Sequence, residues 1–325
     1  MHKRKIFYFA FDHDKPSGGI KEAYRHVDIL NSNGFDAFIL HQRDGARASW
    51  FDHETPIVSA ERFSAVFDDS RDFVVLPEDL SGGIDRFPGR KVIFNQNVFH
   101  GFAALGRPES GQSPYLHPDV KAVFSVSDHN AEYLRYAYPH ADVYRLFIGI
   151  DLDRFSYRPV AEKSLKVVCY VRKNPAHTLA LYHLLKSRAD QDLDNLGRLE
   201  WTILDGQQTE NQVIREFGDA LLFVFLSIEE GCPLMPLEAA ASGAVPLVYD
   251  GGPAMEWLPE PCRFAYGDLL GMAGAIAELA AGFPGAAQRW SVASREARDK
   301  AAFYSLGRQQ RRLLEAWEEV LRKWG

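Results

Sequence analysis

The side chains best placed to do chemistry are two acids, Glu230 and Glu238, and two cations, Arg172 and Lys173. The acids bracket most of the stretch SIEEGCPLMPLEAAASG, residues 227–243. Alone, such a pair reads as a solvated acid at a helix start plus an ordinary helical Glu, since a helix N-terminus favours negative charge. The surroundings favour a site. Glu238 stands among Leu237, Ala239, Ala240 and Ala241, on a helix with little polar surface. A carboxylate there is costly without a partner. Free backbone N–H groups in the first helical turn make a place for an anion. Arg172 and Lys173 follow the apolar run KVVCYV. Two cations at the carboxyl end of a buried strand suit a diphosphate, Arg as a fork and Lys as a point charge. A solvated basic turn remains the plainer alternative.

Strands and helices must hold these groups. Ala220–Leu226 (ALLFVFL) is short, apolar throughout and reads as a strand buried on both faces. Glu229, Glu230 and Gly231 break it, Pro233 fits a helix start, and Gly243 a helix stop. The unit is strand, acidic loop, helix, and such a loop lies where parallel sheets bind ligands. Around it, 166–171, 199–204 and 244–249 read as strands and 177–185 and 212–217 as helices. Asp250-Gly251-Gly252-Pro253 reads as a loop.

In the first half, Lys5–Phe11, Ile20–Asn33 and Asp36–His41 read as strand, helix and strand. Gly18 and Gly19 at the helix start serve either a tight turn or close approach of a ligand to the backbone. Further strands at 73–76 and 91–94 end in Glu78 and in Asn95 and Asn97, polar groups at strand ends. His100 follows, between Phe99 and Phe102; a lone His is more often structural than catalytic, but its place beyond a strand end makes it the best acceptor-side candidate. Strands at 121–126 and 142–148 complete this half, and 156–163 reads as a polar linker. Leu306–Trp324 is a helix with one apolar face, Leu313, Trp317, Val320 and Leu321 among its residues.

Composition narrows the class. The 325 residues suit two domains, 46% hydrophobic and 25% charged, as in a globular enzyme. A net charge of −7 argues against a nucleic-acid partner. No apolar run is long enough to span a membrane, and MHKRKIFYFAFDHD reads as a first strand rather than a signal peptide. Cys169, Cys232 and Cys262 have no metal spacing and read as reduced thiols of the cytoplasm.

The stretch from Glu230 resembles the E-x7-E motif of retaining glycosyltransferases of the GT-B fold, most closely glycosyltransferase family 4. Relatives read Glu-Gly-Phe-Gly-Leu and then Glu-Ala; here stand Glu230-Gly231-Cys232-Pro233-Leu234 and Glu238-Ala239, with Cys232 and Pro233 departing. Residues 149–155 resemble the family's lead into its second domain, with Ile148 where Asn is usual.

The resemblance implies an α/β fold of two Rossmann-like domains facing a cleft, 1–158 and 159–325, the last helix crossing back to the first. It implies transfer of a sugar from a nucleotide-diphosphate sugar, UDP- or GDP-linked, to a glycan or glycolipid hydroxyl, with no metal and no other cofactor. Glu230, Arg172, Lys173 and His100 are then the catalytic candidates. Glu238, Gly231, Cys232, Pro233, Leu234, Gly18 and Gly19 bind the donor. Glu78, Asn95 and Asn97 are candidates for the acceptor side, and Glu256 matches a residue after the family's Gly-rich turn. The chain is expected in the cytoplasm; net charge lends no support to peripheral docking at the inner face of a membrane, which the acceptor class leaves open. Two other classes remain: a nucleotide-sugar epimerase of the same fold, and a non-catalytic nucleotide-sugar or glycan binder.

Overall fold

The computed structural model describes residues 4–13, 15–106, 113–285 and 287–325, without the side chains of 81, 82 and 287–289. The chain divides into two compact units, 1–148 with 307–325, and 149–306. The expected boundary at 158/159 falls inside the second unit.

The first unit runs β1 (Lys5–Phe9), α1 (Gly18–Ser32), β2 (Asp36–His41), β3 (Ile57–Ser59), α2 (Ala60–Val66), β4 (Phe73–Pro77), β5 (Arg90–Asn95), α3 (Val98–Ala104), β6 (Val120–Ser125), α4 (Asp128–Ala137) and β7 (Val143–Arg145). Its seven strands form one parallel sheet, ordered β3-β2-β1-β4-β5-β6-β7. The second unit runs β8 (Ser164–Tyr170), α5 (Pro175–Ala189), β9 (Glu200–Leu204), α6 (Glu210–Asp219), β10 (Ala220–Phe225), α7 (Leu234–Ala241), β11 (Val245–Tyr249), β12 (Arg263–Phe264), α8 (Leu269–Gly282) and α9 (Ala287–Ala301). Its five strands are also parallel, ordered β12-β11-β10-β8-β9. The last helix, α10 (Leu306–Trp324), belongs with the first unit from Gly307 onward.

Strands buried on both faces lack side-chain alternation, as parallel sheets covered by helices require. Every residue of β10 and of β11 is buried. Helix α1 turns Ile20, Ala23, Tyr24, Val27 and Leu30 inward, the spacing of a one-sided apolar stripe. Helix α10 does the same with Leu313, Ala316, Trp317 and Val320. Trp317 is fully buried, edge-on to Phe73 and Phe124, and its indole N–H donates to the Tyr8 hydroxyl at 3.0 Å. That bond satisfies two polar atoms that burial would otherwise penalise.

Three local expectations need correction. Strand β7 stops at Arg145, short of Ile148. The polar stretch 156–163 is packed rather than free: Val160 and Lys163 are buried, and the Arg158 N–H donates to the Ser242 carbonyl. Gly243 explains the close fit: its φ is +84°, and a Cβ there would lie 2.2 Å from the Arg158 carbonyl oxygen. Finally, the short strands β3 and β12 carry no period and escape a reading by pattern.

Candidate functional site

In an open parallel sheet the ligand crevice lies where successive connections leave a strand in opposite directions. In the second unit this point falls between β8 and β10. The loop after β8 carries Arg172 and Lys173, and the loop after β10 carries Glu230.

The two loops meet there. Lys173 Nζ lies 2.8 Å from Glu230 Oε1, and the Ser227 hydroxyl donates to the same oxygen at 2.7 Å. Glu230 is the more enclosed partner, its side chain 16% exposed against 39% for Lys173. The neighbouring Arg172 turns the other way, over the loop that follows β9. A Cβ on Gly206 would stand 2.6 Å from its Nη1 and 2.7 Å from its Cδ. Gly206 also has a φ of +86°, so its backbone shape and its lack of a side chain both suit the guanidinium. The adjacent cations therefore diverge, one toward each flank of β8.

Helix α7 begins at Leu234, with Pro233 as its N-cap and no side-chain cap. Its first turn includes Pro236, so the expected strand–loop–helix unit is present. Glu238 is half-buried on this helix, between the buried Leu237 and Ala239. Beside Glu230 lies a small indentation of about 20 Å³, lined also by Ser227, Pro233, Tyr249, Gly251 and Pro253. Tyr249 is fixed from behind: its hydroxyl is 2.6 Å from His177 Nδ1 in the first turn of α5. The exposed ring of Tyr266 packs on both.

The first unit has its reversal between β1 and β4, bringing Gly18, Gly19 and Glu78 to one crevice. Helix α1 starts at Gly18, and Ser17 caps it through Ile20. Gln96 Nε2 donates to the Gly19 carbonyl at 3.2 Å, and a Cβ on Gly19 would press on the Gln96 side chain at 3.1 Å. The polar groups deeper in are buried. Glu78 Oε1 accepts from the Asn97 N–H at 2.8 Å, and the Asn97 side chain caps α3 through the N–H groups of Phe99 and His100. The Asn95 amide donates to the Tyr115 hydroxyl at 2.7 Å and accepts from Asn130 Nδ2 at 3.1 Å. Burial pushes the Glu78 carboxyl up to about 7, although backbone donors pull the other way. Glu78, Asn95 and Asn97 thus hold loops together, while His100 alone of this group has an exposed side chain.

The sequence names Glu230, Lys173 and Arg172 but not Ser227 and Gly206, which contact them, nor Tyr249 beside the pocket, nor Gln96, which bonds to Gly19. A serine three residues before an acid is too common to stand out, and contacts between distant loops leave no period.

Neither a protein-family model nor a curated protein matches the chain. Solved structures do match it over nearly its full length. Sucrose-phosphate synthase from Thermosynechococcus elongatus superposes with a TM-score of 0.70 at 12% identity, covering 99% of this chain and all of that one. HepE of Anabaena, solved in complex with UDP and glucose, gives 0.69 at 14% identity, covering 97% of this chain and all of its own. The lipopolysaccharide outer core galactosyltransferase WaaB gives 0.66 at 11% identity, covering 97% and 99%. At such identities the likeness is one of fold. Two parallel α/β units, with the chain's last helix in the first, are the GT-B fold of these glycosyltransferases.

Proposed function

We propose that the chain is a retaining glycosyltransferase whose second unit binds a nucleotide-diphosphate sugar and whose acceptor is a glycan or glycolipid hydroxyl. The observation that carries the reading is the meeting of Lys173, Glu230 and Ser227 at the reversal point of the second sheet, with Arg172 on the adjoining flank. Similar folds, solved with UDP and with UDP-glucose, support the choice of donor.

Departure of the leaving group breaks the bond from the anomeric carbon to the diphosphate oxygen and leaves negative charge on that oxygen. Arg172, Lys173 and the backbone N–H groups at the start of α7 stabilise that charge. Glu230, held by Lys173 and Ser227, stands beside the donor sugar, and Glu238 accepts from the ribose hydroxyls. Gly231, Cys232, Pro233 and Leu234 shape the loop between them. The acceptor hydroxyl attacks from the face that the diphosphate leaves and gives its proton to the departing oxygen, so configuration is retained. The cations take the place that a metal would fill. On the first unit, His100 is the acceptor-side group; Glu78, Asn95 and Asn97 hold the loops beside it. We place the reaction in the cytoplasm, at the membrane face where the acceptor is a glycolipid.

A thermal-shift screen against UDP, GDP and their sugars, with and without divalent metal, tests the donor pocket, because binding to the folded state raises the melting temperature. One diphosphate should shift it, and should do so without metal. Glu238→Ala should weaken that diphosphate about tenfold, the loss expected for a charge-assisted hydrogen bond. Arg172→Ala should lower kcat about a hundredfold with a smaller change in donor affinity. No shift with any nucleotide would overturn the reading. Isomerisation of the donor without acceptor would indicate an epimerase, and binding without turnover a carrier of the fold alone.

A further inference from the structure

The first unit holds a second organised group of polar side chains, at the carboxyl ends of β1 and β2, which the proposed reaction leaves unused. Asp12 follows β1 and His41 ends β2. The Asp12 carboxylate accepts four bonds. Its Oδ1 takes His41 Nδ1 and the Gln42 N–H, each at 3.0 Å. Its Oδ2 takes the Arg43 N–H at 2.8 Å and Arg43 Nε at 3.2 Å. Burial alone would raise this carboxyl, but the Gln42 and Arg43 donors outweigh it and hold it below its usual range. With Nδ1 protonated, His41 Nε2 accepts from the Tyr24 hydroxyl at 2.7 Å, and that hydroxyl accepts the Ala48 N–H at 3.1 Å. The loop from Gln42 to Ala48 is thereby tied down at both ends.

The tie orients Arg43. Its Nε edge faces Asp12, and Nη2 also donates to the Asp12 carbonyl at 3.0 Å. The opposite edge of the guanidinium points outward from a side chain that is 73% exposed. Arg43 and Arg47 border a small open pocket of about 80 Å³, with Phe11, His13, Ile20 and Ala46 among the other residues of its wall. Among the described residues Asp12 is the one acid that lines it, and its oxygens are occupied. Among the described lining residues, two guanidinium groups stand against one carboxylate, in a chain of net charge −7. A pre-oriented guanidinium edge matches the two oxygens of a phosphate or carboxylate.

We propose that this pocket binds the oxyanion of a small acidic ligand, a phosphate monoester or a carboxylate. The pocket lies on the first unit, whereas the proposed donor site lies on the second, so its ligand would be the acceptor and the chain would glycosylate an acidic acceptor; this last step rests on the glycosyltransferase reading, whereas the pocket does not.

Calorimetric titration of the full chain with glucose 6-phosphate, glucuronate and glucose tests it. One of the acidic sugars should bind at least about tenfold more tightly than glucose, and which one names the oxyanion. Arg47→Gln should weaken that binding about tenfold, and Arg43→Gln at least as much. Arg43→Gln also releases Asp12, so Arg47→Gln, at an exposed position, decides the matter if the first variant unfolds. Arg172→Ala should leave the affinity within about twofold. Equal binding of all three sugars, no binding below about 10 mM, or loss on Arg172→Ala but not on Arg47→Gln would each overturn the proposal. Binding of the acidic sugar alongside failure of every nucleotide would sink the donor reading and leave the pocket standing.

Discussion

The two sheets solve the same geometric problem with opposite chemistry. Each is parallel, each reverses its winding near the middle, and each gathers polar side chains at that reversal. In the first unit these are mostly neutral and buried, with Asn95, Asn97, Asn130 and Tyr115 bonded among themselves and a Glu78 that burial keeps near neutrality. In the second they are charged and partly open, with Lys173 against Glu230 and Arg172 over Gly206. A buried, satisfied network fixes loops in place. A half-open set of charges keeps capacity for a ligand. The polar groups at the first reversal point are largely bonded to one another, whereas those at the second keep their charge partly open to solvent.

The largest effect expected from this contrast lies at Glu78. Its carboxyl titrates near 7 in the folded chain and near its ordinary 4.5 when unfolded. The folded state therefore holds the extra proton between those values, and stability falls as pH rises from 4.5 through 7. Glu78→Gln should remove that fall and leave the variant about 3 kcal/mol more stable at pH 8, as read by denaturant unfolding. A variant less stable than the parent at pH 8 would mean that Glu78 is held there as a carboxylate, and the contrast between the two units would break.

Gly206→Ala should act on the other side. A methyl group at that site displaces the Arg172 guanidinium and strains a left-handed backbone. We expect about 1 kcal/mol of lost stability and about tenfold weaker binding of a nucleoside diphosphate. Affinity for the monophosphate should change less. Equal losses for both would remove Arg172 from the diphosphate. The smallest effect belongs to Lys173→Ala. With one partner well exposed, its ion pair with Glu230 should contribute under about 1 kcal/mol to stability. A urea midpoint shift worth more than about 2 kcal/mol would make that pair structural, as the first unit's network is.

Much of this was legible in the residues because burial on both faces writes itself as unbroken apolar runs. ALLFVFL and KVVCYV needed no partner to be read as strands, and the break at Glu229 to Pro233 marked the loop. Helix α10 showed its stripe over its whole length. What stayed hidden depends on pairs remote in sequence. Nothing near Asp12 announces His41 or Arg43, and nothing near Gly206 announces Arg172. Asn95 and Asn97 look like ligand groups because they are polar at strand ends; only packing reveals that both are enclosed. The stretch 156–163 looks like a linker from its polarity, yet Gly243 gives it a surface to rest on.

The position of Trp317 has a consequence for how the protein is made. The second unit, 149–306, is one uninterrupted segment, whereas the first is assembled from both ends of the sequence. Synthesis proceeds from the N-terminus and domains tend to close as they emerge. Here the strand β1 waits for a tryptophan 309 residues later to cover Tyr8. The later-starting unit has all its parts first, and the ribosome must release the chain through Trp317 before the earlier-starting one can be sealed.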